Sequence, residues 1–181
     1  MPFTPFHFGP SACASLPVNR YIDFPVFLLA NVAIDIEPLL VMTFHLSYPL
    51  HGFAHTLVGG AVVGLLCGLL GYFARGSLAG LMKLLRLPYT PTLGKYLAAG
   101  VLGSWFHVLL DAPLYGDIRP LYPLSSENPL LWSIQSDTMY TICSATILPA
   151  SILYLAYCCR LYRRKDVSVV NTNTAHQEKG P

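Results

Sequence analysis

Charge is what this chain has least of. Of its 181 residues only 11% are Asp, Glu, Lys or Arg, against roughly 25% in an ordinary soluble domain. That shortage, set beside 54% hydrophobic residues, excludes a soluble globular domain and reads as an integral membrane protein. A C-x-x-C spacing is also missing. Cys13, Cys67, Cys143, Cys158 and Cys159 lie mostly inside apolar runs, so free buried thiols are expected and no disulfide framework is implied. The small residues Ser11 to Ser15 keep a signal peptide open as a competing reading, and cleavage there would remove His7. A positive n-region and a clear A-x-A site are both lacking. No segment repeats another, and the net charge of +2 gives no reason to expect a nucleic-acid partner. Finally, no Lys or Arg occurs between Arg20 and Arg75, so the acids and histidines of that stretch have no cation nearby in sequence to pair with.

What remains is organised as apolar runs. Leu57 to Ala74 holds 18 residues without a charge, about 27 Å of helix against a hydrocarbon core of about 30 Å. Tyr140 to Cys159 is a second such run, broken only by Pro149, and Tyr96 to Leu110 a third, carrying His107. Phe24 to Phe44 is interrupted by Asp35, Glu37 and Pro38, while Pro5 to Leu16 is too short to span. The expected fold is an all-α, polytopic membrane bundle: a short N-terminal helical hairpin over residues 5 to 37, then three full transmembrane helices. The membrane-embedded domain covers residues 1–165 and a polar, disordered tail covers 166–181. Ala79 to Leu93 reads as an interfacial amphipathic piece. Cys158 and Cys159 beside Arg160 read as helix-end residues, with acylation the alternative.

Cations give the orientation. Arg75, Lys83, Arg86 and Lys95 lie between the Leu57 and Tyr96 runs, and Arg160, Arg163, Arg164 and Lys165 follow the last. The positive-inside rule puts both stretches, and with them the C-terminus, in the cytoplasm of a cell or inner-membrane protein. Alternating the runs then brings His7, Asp35, Glu37, His51, His55, His107 and Asp111 to the non-cytoplasmic face.

That gathering is the layout of a metal site. His51 and His55 are four apart, which on a helix stacks them about 6 Å apart on one face. Gly52 stands where the zincin motif needs glutamate, so that motif is excluded; glycine there permits a tight turn or a close approach. His107 and Asp111 repeat the four-residue spacing and can share a metal, or the carboxylate can orient the imidazole. Pro38 disfavours helical geometry at Glu37, letting Asp35 and Glu37 turn toward one cavity. Each feature also has a plainer reading as an interfacial histidine or a polar helix end. Acids near a bilayer centre cost about 2.5 to 3.5 kcal/mol, however, which argues for a role. Carboxylates with imidazoles suit zinc, or manganese or iron, rather than copper or an iron–sulfur cluster.

These residues carry a resemblance. His7, Ile34-Asp35-Ile36-Glu37, His51-Gly52-Phe53-Ala54-His55-Thr56 and Gly103-Ser104-Trp105-Phe106-His107-Val108-Leu109-Leu110-Asp111 resemble, in order and spacing, the YdjM-like family of membrane-bound metal-dependent hydrolases. Its members carry an early G-H, a P-D-[IL]-D, an H-R-G-x-T-H-S and a G-x-x-x-H-x-x-x-D element. The likeness covers roughly residues 1 to 125, including Ile118 to Leu124, which looks like the family's G-x-P-L-x-W-P segment. The family is grouped with zinc-dependent phospholipase C and the P1-type nucleases, which implies a helical site with several metals cutting phosphoesters. The chain departs from the pattern in several places. Glu37 replaces the second aspartate, no arginine follows His51, and His55 comes one residue early. Proline does not precede Asp35, and Pro38 stands where a histidine is frequent, leaving His45 as a substitute or as an isolated loop histidine.

The expected function is therefore a membrane-bound metal-dependent hydrolase of a phosphoester, lipid or lipid-linked, acting through water activated by divalent metal. His7, Asp35, Glu37, His51, His55, His107 and Asp111 are the candidate ligands, Asp35 or Glu37 the candidate base, and Arg119 a candidate for substrate phosphate. An interfacial, snorkelling Arg119 is the alternative. Two other classes stay open: a divalent-cation or proton transporter, which needs ligands near helix middles, and a scaffold with a structural metal, which needs a closed four-ligand shell.

Overall fold

Local sequence sets the helix ends. In the computed structural model, which describes residues 4–159, one tight helical turn (Thr4–His7) leads into α1 (Phe8–Ser15). Asp23 then caps α2 (Phe24–Ala33) by accepting from the Val26 amide at 3.1 Å, with Pro25 in the first turn where its missing N–H costs nothing. The chain breaks at Ile34–Asp35 and resumes as α3 (Ile36–Thr43), with Pro38 in the first turn of the new helix. His45 ends α3 in the left-handed region, φ 50°, while the Leu46 amide reaches back to the Val41 carbonyl at 3.0 Å. Thr56 caps α4 (Leu57–Phe73), accepting from the Gly59 amide at 2.8 Å. Beyond it come α5 (Arg75–Leu84), α6 (Leu93–Asp111) and α7 (Ser136–Ala145), the last continuing to Cys159 after a turn at Thr146.

Among the described residues the protein is all helix and turn, without strands. Three helices are long and apolar enough to cross a membrane: Phe24–Thr43, Leu93–Asp111 and Ser136–Cys159. The first differs from the short hairpin arm expected from sequence, because the Asp35 break is bridged without loss of direction and α3 carries the apolar run onward. By contrast α4 has 17 residues, about 26 Å, and turns through 83° into α5. The tail expected from Asp166 and the cations Arg160 to Lys165 lie outside the described residues.

Glycine lets α4 and α6 touch. A Cβ on Gly100 would lie 1.9 Å from the Gly64 carbonyl oxygen, and one on Gly64 would lie 2.4 Å from that of Gly100. One turn further along, Ser104 donates to the Gly60 carbonyl at 2.6 Å, and Trp105 donates to that of Leu57 at 2.7 Å. These pairs fix α4 antiparallel to α6. The third member, α2, runs parallel to α6: Val26 packs beside Tyr96, while Asn31 donates to the Gly103 carbonyl at 3.3 Å. Outward faces are apolar and exposed, as at Leu29, Leu66, Leu70, Leu109, Leu148 and Ile152. One end of this bundle therefore gathers the N-terminus of α1, the α2–α3 break, the start of α4 and the end of α6. Arg20, Arg75, Lys83, Arg86 and Lys95 lie at the other end.

Candidate metal centre

Four chain segments deliver side chains to one buried point. His7 closes the turn before α1, Asp35 sits in the α2–α3 break, His55 ends a tight turn just before α4, and His107 and Asp111 occupy the last turns of α6. All except Asp35 are almost fully buried; the Asp35 side chain is 20% exposed and forms the open edge. One ligand atom from each of Asp35, His55, His107 and Asp111 lies within 4.8 Å of the other three. Ligands held tetrahedrally at about 2.0–2.1 Å from zinc are separated by about 3.4 Å. The pairs here measure 3.3 Å for His107 Nε2 to Asp35 Oδ1, 3.4 Å for His107 Nε2 to Asp111 Oδ2 and 4.0 Å for His55 Nε2 to Asp35 Oδ1. The group could hold a metal ion with only small side-chain adjustment.

Hydrogen-bond direction makes the case stronger than distance does. Glu37 accepts from the Gly52 and Ala54 amides, each at 3.0 Å, and its Oε2 stands 3.0 Å from His55 Nδ1. A proton on His55 Nδ1 satisfies that contact, which leaves the lone pair of Nε2 facing Asp35. His107 Nδ1 pairs with His7 Nδ1 at 3.1 Å, and His7 Nε2 faces Asp111 Oδ1 at 3.2 Å. A proton on His107 Nδ1 satisfies the first contact and again leaves an Nε2 lone pair, that of His107, facing two carboxylates. Neither Nε2 makes an aligned hydrogen bond, and Asp111 Oδ1 also lacks one. Buried lone pairs converging on carboxylate oxygens repel unless a proton or a metal ion lies between them. Burial holds the His55 imidazole below the usual histidine range, against the pull of Glu37 and with His107 and His51 adding to the depression, so it stays neutral as a ligand must.

Not every candidate from sequence joins the group. Glu37 points at the His55 side away from Asp35 and orients that ring. His51 and His55 do meet, rings 4.7 Å apart, but no helix stacks them: only Phe53–His55 is helical, as a single turn, and α4 begins at Leu57. The close turn depends on Gly52, where a Cβ would fall 2.1 Å from the Tyr48 ring. His51 Nδ1 pairs with the Asp117 carboxylate at 2.9 Å, and its amide donates to the same group at 3.0 Å. His45 is exposed and outside the site. Arg119 lines an adjoining cavity with His51 and Asp117.

Asp117 and Tyr115 are not among the site candidates that the sequence offered. Asp117 is 66 positions from the histidine it holds, and its only signal was an acid placed just after a ligand-bearing helix. Partial burial opposes its ionisation, but the bonds from His51 outweigh it and hold the carboxyl below the usual range. Tyr115 lies against the His51 ring, centroids 4.3 Å apart. Burial, reinforced by the negative charge of Asp111, pushes its phenol up and keeps it a proton donor. Comparison with protein-family models, with curated proteins and with solved structures gives no match, so the geometry of the site alone carries its reading.

Proposed function

We propose that this chain is a membrane-bound, metal-dependent hydrolase of phosphoesters, with the divalent ion held by Asp35, His55, His107 and Asp111. One observation carries the reading: the buried Nε2 atoms of His55 and His107, neither with an aligned hydrogen bond, converge on the carboxylates of Asp35 and Asp111. The resemblance to the YdjM-like family and the acid-imidazole ligand set support zinc, with manganese or iron as alternatives. Such an ion supplies Lewis acidity, polarising a phosphoryl oxygen and making water a nucleophile near neutral pH. The chain's own residues do the rest. Glu37 and His7 fix the two ring orientations. Asp35, at the open edge, takes the proton as the water oxygen forms the new P–O bond; the ester P–O bond breaks and that proton passes to the leaving oxygen. The exposed apolar helix faces support insertion with Arg20, Arg75, Lys83, Arg86 and Lys95 toward the cytoplasm and the site on the opposite side. Membrane lipids are then the surroundings, and a lipid or lipid-linked phosphoester the substrate.

A structural ion is the second reading, favoured by the fact that the group has four members, enough to close a tetrahedral shell. A transporter is less well supported: Asp35 lies midway along the Phe24–Thr43 span, as that reading needs, but His55 precedes α4 and His107 and Asp111 occupy the last turns of α6. The test is metal analysis of protein purified in detergent, with turnover assayed on a bis(p-nitrophenyl) phosphate and phospholipid panel. About one equivalent or more of divalent metal, lost in His55→Ala and His107→Ala together with turnover, is expected. Metal without turnover on any phosphoester selects the structural reading; no metal ends both.

A further inference from the structure

Beside the metal group lies a cavity of about 290 Å³, lined among others by Tyr48, His51, Phe53, Asp117, Arg119 and Tyr122. His51 forms its wall toward the centre, since that ring contacts His55 at 4.7 Å. Two formal charges face the space. Asp117 accepts from the His51 amide at 3.0 Å and pairs with its ring nitrogen at 2.9 Å. Arg119 makes no ion pair or side-chain hydrogen bond among the described residues. It is also the sole Lys or Arg in the described connection between α6 and α7. The two charges cancel formally, but Asp117 has its acceptor oxygens occupied by His51 whereas the Arg119 guanidinium keeps its donors free, so the group left to bind a ligand is a cation and selects an anion. A guanidinium in a partly enclosed, apolar-walled space suits the paired oxygens of a phosphate.

From this we propose that the cavity is an anion subsite in which Arg119 binds a phosphate group of the substrate other than the one being cut. The substrate class follows: a molecule with two anionic phosphates, one at the metal centre and one beyond His51. That last step rests on the hydrolase reading, but the subsite itself does not. Full-length protein in phosphatidylcholine nanodiscs, stripped of metal with EDTA, is titrated with inorganic phosphate and with glycerol 1-phosphate by calorimetry. Expected is saturable binding weakened about tenfold or more by Arg119→Ala, partly restored in Arg119→Lys, and changed less than about twofold by His55→Ala. Replacing phosphatidylcholine by phosphatidylglycerol separates the sources: competition that depends on Arg119 identifies a lipid headgroup, and its absence a free phosphate compound. Equal phosphate affinity in wild type and Arg119→Ala, in protein whose circular dichroism is unchanged, overturns the subsite. Loss in His55→Ala but not Arg119→Ala does the same, by placing the anion at the metal group. Arg119-dependent phosphate binding in the metal-free wild type, together with no turnover on any phosphoester by the same protein reloaded with zinc, manganese or iron, would sink the hydrolase and leave the subsite standing.

Discussion

Individual side chains divide into those that would hold an ion and those that aim the holders, and substitution separates the two. Asp111→Asn removes a ligand oxygen and should abolish tight metal binding. Glu37→Gln keeps an acceptor for His55 Nδ1 and should weaken affinity by only about 10–100-fold, as read by chelator competition. The sequence singled out Glu37 as acidic and functional. It could not show that three donors from the segment 52–55 occupy the carboxylate, because that depends on the α2–α3 break facing the turn before α4. Asp117 supplies a pH test. Its folded-state carboxyl titrates below its ordinary value of 3.8, so acid favours the unfolded chain. The His51–Asp117 contact therefore contributes its full share above about pH 4 and loses it as pH falls through the depressed value. The difference in melting temperature between wild type and Asp117→Asn should be flat above that point and shrink below it. A difference that persists unchanged to pH 2.5 would remove the contact from the account.

At the level of elements, the α4–α6 contact is set by missing side chains. Gly100→Val drives a methyl into the Gly64 backbone, which cannot yield without separating the helices. A loss of at least about 1–3 kcal/mol is expected, seen as a lower melting temperature in detergent. A Cβ added at Gly80 in α5 would meet nothing within 4 Å, so Gly80→Ala should be neutral or stabilise by up to about 1 kcal/mol. Helix existence was legible from the apolar runs, and the His107–Asp111 pair from its spacing, since both lie inside one continuous helix. The His51–His55 pair was legible as a pair but not as a geometry. Its four-residue spacing suggested a helical face, whereas Tyr48 and Gly52 fold the segment into a turn. Pro38 likewise marked a break correctly in kind but not in place: the chain departs from helix at Ile34–Asp35, because proline is tolerated in the first turn of the helix that follows.

For the whole molecule, polarity is the property to test. Ser126 lies at the end bearing the centre and Ser77 in α5, and both are exposed. In a cysteine-free background in intact cells, a membrane-impermeant thiol reagent should label Ser126→Cys from outside and Ser77→Cys only after permeabilisation. The reverse pattern would turn the protein over and put the site in the cytoplasm. The long uncharged runs determined that the described chain is helical and apolar on its outer faces, because a segment without polar side chains leaves the backbone to satisfy its own hydrogen bonds. Spacing alone determined which acids and histidines were worth suspecting. Only tertiary structure decided which of them meet, since His7, Asp35, His55 and Asp111 belong to separate segments whose relative depth depends on glycine contacts between helices. It also decided which nitrogen of each ring is turned toward the carboxylates, because that depends on the partner at the other nitrogen, and those partners lie as far as 100 residues away.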